Sequence, residues 1–188
     1  LHIESIGEYF DYITRNPEEI NRLIDAVTIH TTRFFRDGSA FDYLRDRIIP
    51  SIVSDSRIHS LKIWSAGCST GEETYTLAIV LRESLLRRRP DVAVRVYGTD
   101  ISERACSAAR EALYGEKSLA EVPRRYITRY FKRDGDRYRV KDEIRKLVEF
   151  RVHDLINDPP IMGVDAVVCR NVLIHFVEGV RTHIIGKF

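Results

Sequence analysis

A chain of 188 residues, 44% hydrophobic and 31% charged, carries enough apolar material for one sizeable core plus a small appendage, which excludes intrinsic disorder. Thirty Lys and Arg against 28 Asp and Glu leave a formal charge of +2, so no global field argues for a nucleic-acid partner. No apolar run approaches the roughly 20 residues of a bilayer span, and no basic-then-apolar leader opens the chain, so neither membrane insertion nor secretion is expected.

The first 50 residues read as helical. Asn16 is expected to cap a helix in which Pro17 takes the first position, Glu18 and Glu19 meet the positive dipole end, and Ile20, Leu23, Ile24 and Val27 share one face. A further helix is expected over residues 39–48, with Phe41, Leu44 and Ile48 on one side and Pro50 closing it. Residues 30–36, HTTRFFR, form a polar and aromatic connector between the two.

From residue 61 the pattern changes to short apolar runs alternating with longer helical periods, the form taken by a parallel α/β sheet. Strands are expected at 61–65, 92–97, 148–152 and 166–169, with helices at about 72–88 and 102–113. Arg87, Arg88 and Arg89 suit the last turn of the first of these helices, where cations meet the negative dipole end. Between 118 and 146 a charged stretch interrupts the alternation, and its Asp134-Gly135 pair is a hairpin signal, so a small β insertion is expected. Tyr126, Tyr130 and Phe131 are expected in the small core joining insertion to sheet. The chain stops at Phe188, soon after the helix that should follow the fourth strand, so the sheet is expected to lack its C-terminal end.

The run WSAGCSTGEE, residues 64–73, places a glycine-containing turn between a strand and a helix, and Ser69 with Glu72 has the spacing of a capping box. Gly67 and Gly71 let the backbone turn sharply and approach a ligand, and open α/β sheets bind ligands at the carboxyl ends of their strands. The turn has no Lys-Ser/Thr after Gly71 and no G-x-G-x-x-G spacing, which removes the phosphate and dinucleotide loops. Glu72 and Glu73 repel pyrophosphate but suit the ammonium and sulfonium of S-adenosylmethionine; Glu72 alone also fits a plain capping role. Asp100 ends the second strand, where a carboxylate can accept both ribose hydroxyls or, more plainly, cap the next helix; Ser102 is the better-placed cap. The cysteines, Cys68, Cys106 and Cys169, share no CxxC spacing and are odd in number, which fits a reducing, cytoplasmic setting. The histidines form no HxxxH or His-Cys cluster, so no metal is expected.

Several runs carry a resemblance: TRFFR at 32–36, WSAGCSTGEE at 64–73, GTDIS at 98–102, Asp154-Leu155, and CRNVLI at 169–174. In these the chain resembles the CheR family, chemotaxis receptor methyltransferases that esterify glutamate side chains. The resemblance implies a class I S-adenosylmethionine-dependent (Rossmann-like) methyltransferase sheet over 60–188, a small α-helical N-terminal domain for substrate recognition over 1–52, and an antiparallel β subdomain inserted at about 118–147. It implies cofactor contacts at His30, Thr32, Arg36, Gly67, Glu73, Asp100, Asp154, Leu155, Arg170 and Asn171, with Arg36 and His175 as catalytic candidates and S-adenosylhomocysteine as product. The family often has Asn where this chain has His30 or Asp154, and commonly Tyr where it has His175.

Arg36 is read as pairing with the cofactor carboxylate or with the incoming glutamate, or as a solvated loop residue, and His175 as packed, surface or catalytic. The implied partners are cytoplasmic helices of chemoreceptors, with a receptor tail peptide at the β subdomain; no nucleic acid is expected, and the protein is expected to be a monomer. A helical acidic substrate could meet Arg15, Arg22 and Arg33. Two other readings are open here: a non-catalytic cofactor-binding module derived from the same family, and a methyltransferase for RNA or small molecules, which the helical domain and the charge balance weaken.

Overall fold

The computed structural model of the chain describes residue 3 and residues 5–27, 32–86 and 88–188, so the expectations at His30 and Arg87 lie outside the described residues. The N-terminal part begins with helices α1 (Ile6–Arg15) and α2 (Pro17–Val27), the first capped by Ser5, whose hydroxyl accepts from the Glu8 N–H. Asn16 stands between the two helices: its side-chain amide donates back to the Tyr12 carbonyl at 2.9 Å, closing the C-terminus of α1, and its carbonyl accepts from the Glu19 N–H at 2.9 Å at the start of α2. The two helices are tied by Tyr9, whose hydroxyl donates to Glu19 Oε1 at 3.3 Å. Their apolar faces are only partly covered, with Ile6, Phe10 and Val27 largely exposed.

Helix α3 (Gly38–Tyr43) runs through a π turn (Leu44–Ile48) into α4 (Ile49–Ile52), so Pro50 lies inside a helical segment instead of closing one. A proline ring clashes with the carbonyl four residues back, here that of Asp46. The π turn supplies the extra room: the Ile49 N–H goes to the carbonyl of Leu44, five residues back, and the helix continues past the proline.

The central sheet has the order β6-β2-β1-β7, every neighbouring pair parallel, from β1 (Ser60–Ala66), β2 (Ala93–Asp100), β6 (Val148–Val152) and β7 (Ala166–Val168). These strands fall within a few residues of their expected positions. Helix α5 (Glu72–Leu86) crosses from β1 to β2 and is buried without a break over residues 74–81. It lies between the sheet and the rest of the protein, so its sequence shows no polar stripe. Beyond Leu86 the N–H groups of Arg88 and Arg89 both donate to the Leu85 carbonyl, as expected of a last turn. The Arg89 side chain also has a tertiary role: its guanidinium donates to the carbonyls of Val53 and Ile58, each at 2.9 Å, and pairs with Asp91. A five-donor fork is satisfied there by a loop that a helix end alone would not supply.

After α6 (Glu103–Glu111) the chain builds a second sheet of order β3-β5-β4, from β3 (Leu113–Gly115), β4 (Phe131–Asp134) and β5 (Arg137–Val140), all antiparallel. Helix α7 (Arg124–Tyr130) precedes β4, and α8 (Asp142–Arg145) leads back to β6. The expected hairpin is present with its turn one residue further on. Asp134 pairs with Arg137, which leaves Gly135 and Asp136 as the turn, with Gly135 at φ +63°. Tyr126, Tyr130 and Phe131 are buried in the core cluster that joins this sheet to α5. On the opposite face of the parallel sheet a smaller cluster forms around Trp64, Leu155 and Ile184, the last carried by α9 (Glu178–Lys187). No helix among the described residues is long and apolar enough to cross a membrane.

Candidate active site

The candidate site lies at the carboxyl ends of β1, β2 and β7. The turn after β1 is fastened to β2: the N–H groups of Gly67 and Cys68 both donate to the Thr99 carbonyl at 2.8 Å. Trp64 Nε1 donates to Thr99 Oγ1 at 2.9 Å on the same pair of strands. Gly67 stands at φ +73° and Gly71 at φ +94°, conformations that glycine adopts without steric cost. What approaches them closely is protein. A Cβ on Gly67 would come within 2.3 Å of Val172 Cγ2, and one on Gly71 within 2.8 Å of Ala109 Cβ.

The expected capping box at Ser69 does not form in that pattern. In such a box Glu72 would accept from the Ser69 backbone N–H. That N–H instead donates to Asp100 Oδ2 at 2.7 Å, and Glu72 accepts from the Thr70 hydroxyl at 2.7 Å. Ser69 is held at φ +50°, and α5 is entered at Gly71, whose carbonyl accepts from the Tyr75 N–H. Asp100 Oδ1 accepts from the Ser102 N–H at 3.0 Å, so the carboxylate is aimed by backbone donors from both loops. Ser102 caps α6 by accepting from Ala105.

The two adjacent glutamates separate. Glu72 is buried toward the β subdomain, where the Tyr114 hydroxyl donates to the Thr70 carbonyl at 2.7 Å. Burial pushes its carboxyl above the ordinary glutamate value, opposed by hydrogen bonds from Thr70 and Ser118. Glu73 faces β7. The Ser65 hydroxyl donates to its Oε1 at 2.8 Å, and Arg170 Nη1 lies 3.4 Å from its Oε2. Burial raises the Glu73 carboxyl as well, against the Ser65 hydrogen bond and the charges of Arg170 and Arg36.

Arg170 is the junction of the site. Its Nη2 donates to Asp37 Oδ2 at 2.8 Å and to the Arg36 carbonyl at 3.0 Å, and its guanidinium lies over the Phe41 ring at 5.1 Å. The connector around Arg36 is anchored on all sides. Phe34 N–H donates to the Ser118 carbonyl, Phe35 N–H to Thr76 Oγ1, and Phe35 and Asp37 both take positive φ. Phe34 packs edge-on against Tyr114 and Phe131, and Phe35 stacks on Tyr126. Two buried aromatics therefore hold Arg36 at the site with about a third of its side chain exposed, and Thr32 is half-buried at the connector's start.

The other expected residues are placed less centrally. Asp154 turns into its own loop, accepting from the Ile156 N–H and the Asn157 side chain, each at 2.8 Å, and Leu155 is buried under α9. Asn171 and His175 are exposed on the turn after β7. Arg22 is paired with Glu19 and Arg33 with Glu121, so each already has an acidic partner within the chain. Sequence reasoning missed Ser65, Asp37 and Phe41, which complete the surroundings of Glu73 and Arg170. Ser65 stands eight positions before Glu73, and nothing in that spacing marks a strand-to-helix hydrogen bond.

A parallel sheet with this strand order, a glycine turn without a P-loop lysine, and carboxylates on Asp100 at the end of β2 and on Glu73 in the first turn of α5 are the setting of a class I S-adenosylmethionine-dependent methyltransferase. The family model for the CheR methyltransferase, SAM binding domain, matches residues 30–188, and the chain belongs to that family. It is 33% identical to a chemotaxis protein methyltransferase of Borreliella burgdorferi, over 98% of this chain and 68% of the relative. It is 36% identical to chemotaxis protein methyltransferase 2 of Pseudomonas aeruginosa, over 100% of this chain and 67% of the relative. The chain thus spans about two thirds of the length of these relatives. Among solved structures, magnesium protoporphyrin IX methyltransferase from Synechocystis PCC 6803 with bound SAH aligns at 21% identity and a TM-score of 0.41, covering 94% of this chain and 63% of that one. That overlap is loose, and membership rests on the family model and the curated relatives.

Proposed function

We propose that this chain transfers the methyl group of S-adenosylmethionine to glutamate side chains of chemoreceptors in the cytoplasm, giving glutamyl methyl esters and S-adenosylhomocysteine. The observation that carries the reading is a largely covered glutamate, Glu73, with 13% of its side chain exposed, beside the guanidinium groups of Arg170 and Arg36 at the carboxyl end of a parallel sheet. A glutamate carboxylate and the methionine head of the cofactor both bear a carboxylate, and a guanidinium fork matches either.

The residues fit the cofactor by their donor set. Glu73 is an anion for its ammonium, Arg170 and Arg36 are cations for its carboxylate or for the incoming glutamate, and Asp100 offers acceptor oxygens to ribose hydroxyls. Thr32, Gly67, Leu155 and Asn171 are further proposed contacts, on the family resemblance alone, with Asp154 turned into its own loop. The cofactor supplies an electrophilic methyl group.

The chain's own residues then have two tasks. A glutamate carboxylate is ionised near neutrality, with an ordinary pKa of about 4.3, so no base is needed and exposed His175 has no proton to move. What remains is to hold oxygen and methyl at about 3 to 3.5 Å in line and to strip water from the carboxylate. Arg36, flanked by buried Phe34 and Phe35, is the residue proposed to orient that carboxylate. The helical segment within 1–52 is proposed to recognise receptor helices, and the edge of the antiparallel sheet to take an extended receptor tail.

The test is incubation with methyl-labelled S-adenosylmethionine and helical receptor fragments. Label released as methanol by mild alkali supports a carboxyl ester; alkali-stable label, or tight cofactor binding without transfer, overturns it.

A further inference from the structure

We propose that Asp25 on α2 is a positioning residue for the cofactor, acting through Ser102 on Asp100; this rests on the reading of Asp100 as the ribose contact. Ser102 Oγ lies 2.5 Å from Asp25 Oδ1, a bond between residues 77 positions apart. Ser102 is buried and is itself the N-cap of α6, accepting from the Ala105 N–H at 3.0 Å. A hydroxyl has one proton and two lone pairs. With a lone pair on Ala105 and the proton given to Asp25, the Ser102 rotor is fixed.

The backbone N–H of the same residue donates to Asp100 Oδ1, while the Ser69 N–H holds Oδ2. Three elements therefore aim one carboxylate: the turn after β1, the start of α6 and, through Ser102, helix α2. Asp25 also sets a negative charge at the N-terminus of α6, where the helix dipole is positive, which strengthens its hold. A simple packing contact between α2 and the sheet would need no carboxylate. Here a charged acceptor meets a buried hydroxyl one bond from the proposed ribose contact.

The consequence is a linkage between the N-terminal helices and cofactor affinity. Displacing α2 frees the Ser102 rotor and loosens one of the two donors that aim Asp100. Any ligand that moves α2 changes cofactor affinity, and the cofactor changes the affinity of that ligand by the same factor.

Calorimetric titration with S-adenosylhomocysteine across wild type, Asp25→Ala, Asp100→Ala and the double variant tests this, each fold checked by circular dichroism. Asp25→Ala is expected to weaken binding about 5- to 10-fold. Asp25→Asn, whose side-chain oxygen still accepts the Ser102 proton, is expected to stay within about threefold of wild type. The double variant should bind no more weakly than Asp100→Ala, because Asp25 acts through that residue. Wild-type affinity in Asp25→Ala, or losses that multiply in the double variant, would overturn the proposal while leaving the ribose contact standing. Wild-type affinity in Asp100→Ala would remove the ribose reading and this proposal together. Should Asp25→Ala not fold, the cycle runs with Asp25→Asn, where a loss of about two- to threefold that vanishes in the Asp100→Ala background is the supporting result, and a loss that persists there is the overturning one.

Discussion

Arg170 reaches Glu73 Oε2 at 3.4 Å with one nitrogen and Asp37 Oδ2 at 2.8 Å with another, so a single guanidinium joins the end of β7, the first turn of α5 and the connector around Arg36. The segments lie far apart in sequence: Glu73 and Arg170 are 97 positions apart, and Asp37 and Arg170 133. The site depends on a planar fork for its geometry.

Arg170→Lys keeps the charge and loses the fork. A lysine ammonium is a point charge that cannot reach Asp37, the Arg36 carbonyl and Glu73 together. The KM for S-adenosylmethionine is expected to rise about tenfold or more, with folding stability lowered by about 1–2 kcal/mol, on the scale of lost charge-assisted bonds. Steady-state kinetics and urea denaturation read the two effects.

Glu73 carries a pH signature. Its folded carboxyl titrates above the ordinary 4.5, with burial the largest cause, so the folded state binds more protons than the unfolded one over the window from 4.5 upward. The stability this proton contributes is full below 4.5 and is lost as pH rises through the raised value. Glu73→Gln, which stays neutral, is expected to unfold at a higher temperature than wild type at pH 7, the gap closing toward pH 4, while cofactor affinity falls at pH 7. Glu72 is raised in the same direction, so Glu72→Gln should share the thermal effect without the affinity loss. Thermal melts from pH 4 to 8, paired with titration calorimetry, separate the two residues.

The strands and crossover helices were legible because apolar runs and helical periods are local signals, and β1, β2, β6 and β7 appear within a few residues of expectation. Asp100 and Glu73 were legible as candidates because strand ends followed by helix starts are where this architecture gathers ligands. Three features were not legible. The π turn that carries the helix past Pro50 depends on one extra residue in a helical turn, which periodicity does not resolve. The partners of the Arg89 guanidinium, the carbonyls of Val53 and Ile58, lie more than 30 residues earlier, beyond the reach of any local pattern. Ser69 and Glu72 had capping-box spacing, but Asp100 outcompetes Glu72 for the Ser69 N–H across the sheet, a tertiary bond that local sequence cannot show.

Gly67→Ala should cost about 1–3 kcal/mol, from the positive φ and from the new Cβ pressing on Val172. Adding Val172→Ala is expected to recover the steric part and leave the backbone part, which chemical denaturation of the single and double variants distinguishes. Full recovery would place the whole cost in the clash, and none would place it in the backbone.

Lys187 closes the loop that holds Asp154. Its ammonium donates to the carbonyls of Ile156 at 2.6 Å, Asp158 at 2.9 Å and Leu155 at 3.3 Å. Lys187→Met keeps the stem and removes all three donors, at an expected cost of about 1–3 kcal/mol. Amide hydrogen exchange at Ile156 and Asn157 should accelerate in the variant, with exchange in β1 slowed or quickened only as far as global stability changes.

The most direct measurement is the structure of this protein with S-adenosylhomocysteine bound. The expected result is the ribose on the Asp100 carboxylate and the amino-acid head between Glu73 and Arg170. Product seated elsewhere, as in the hollow of about 420 Å³ that includes Tyr97, Arg151 and His153, with Glu73 and Asp100 untouched, would contradict the site.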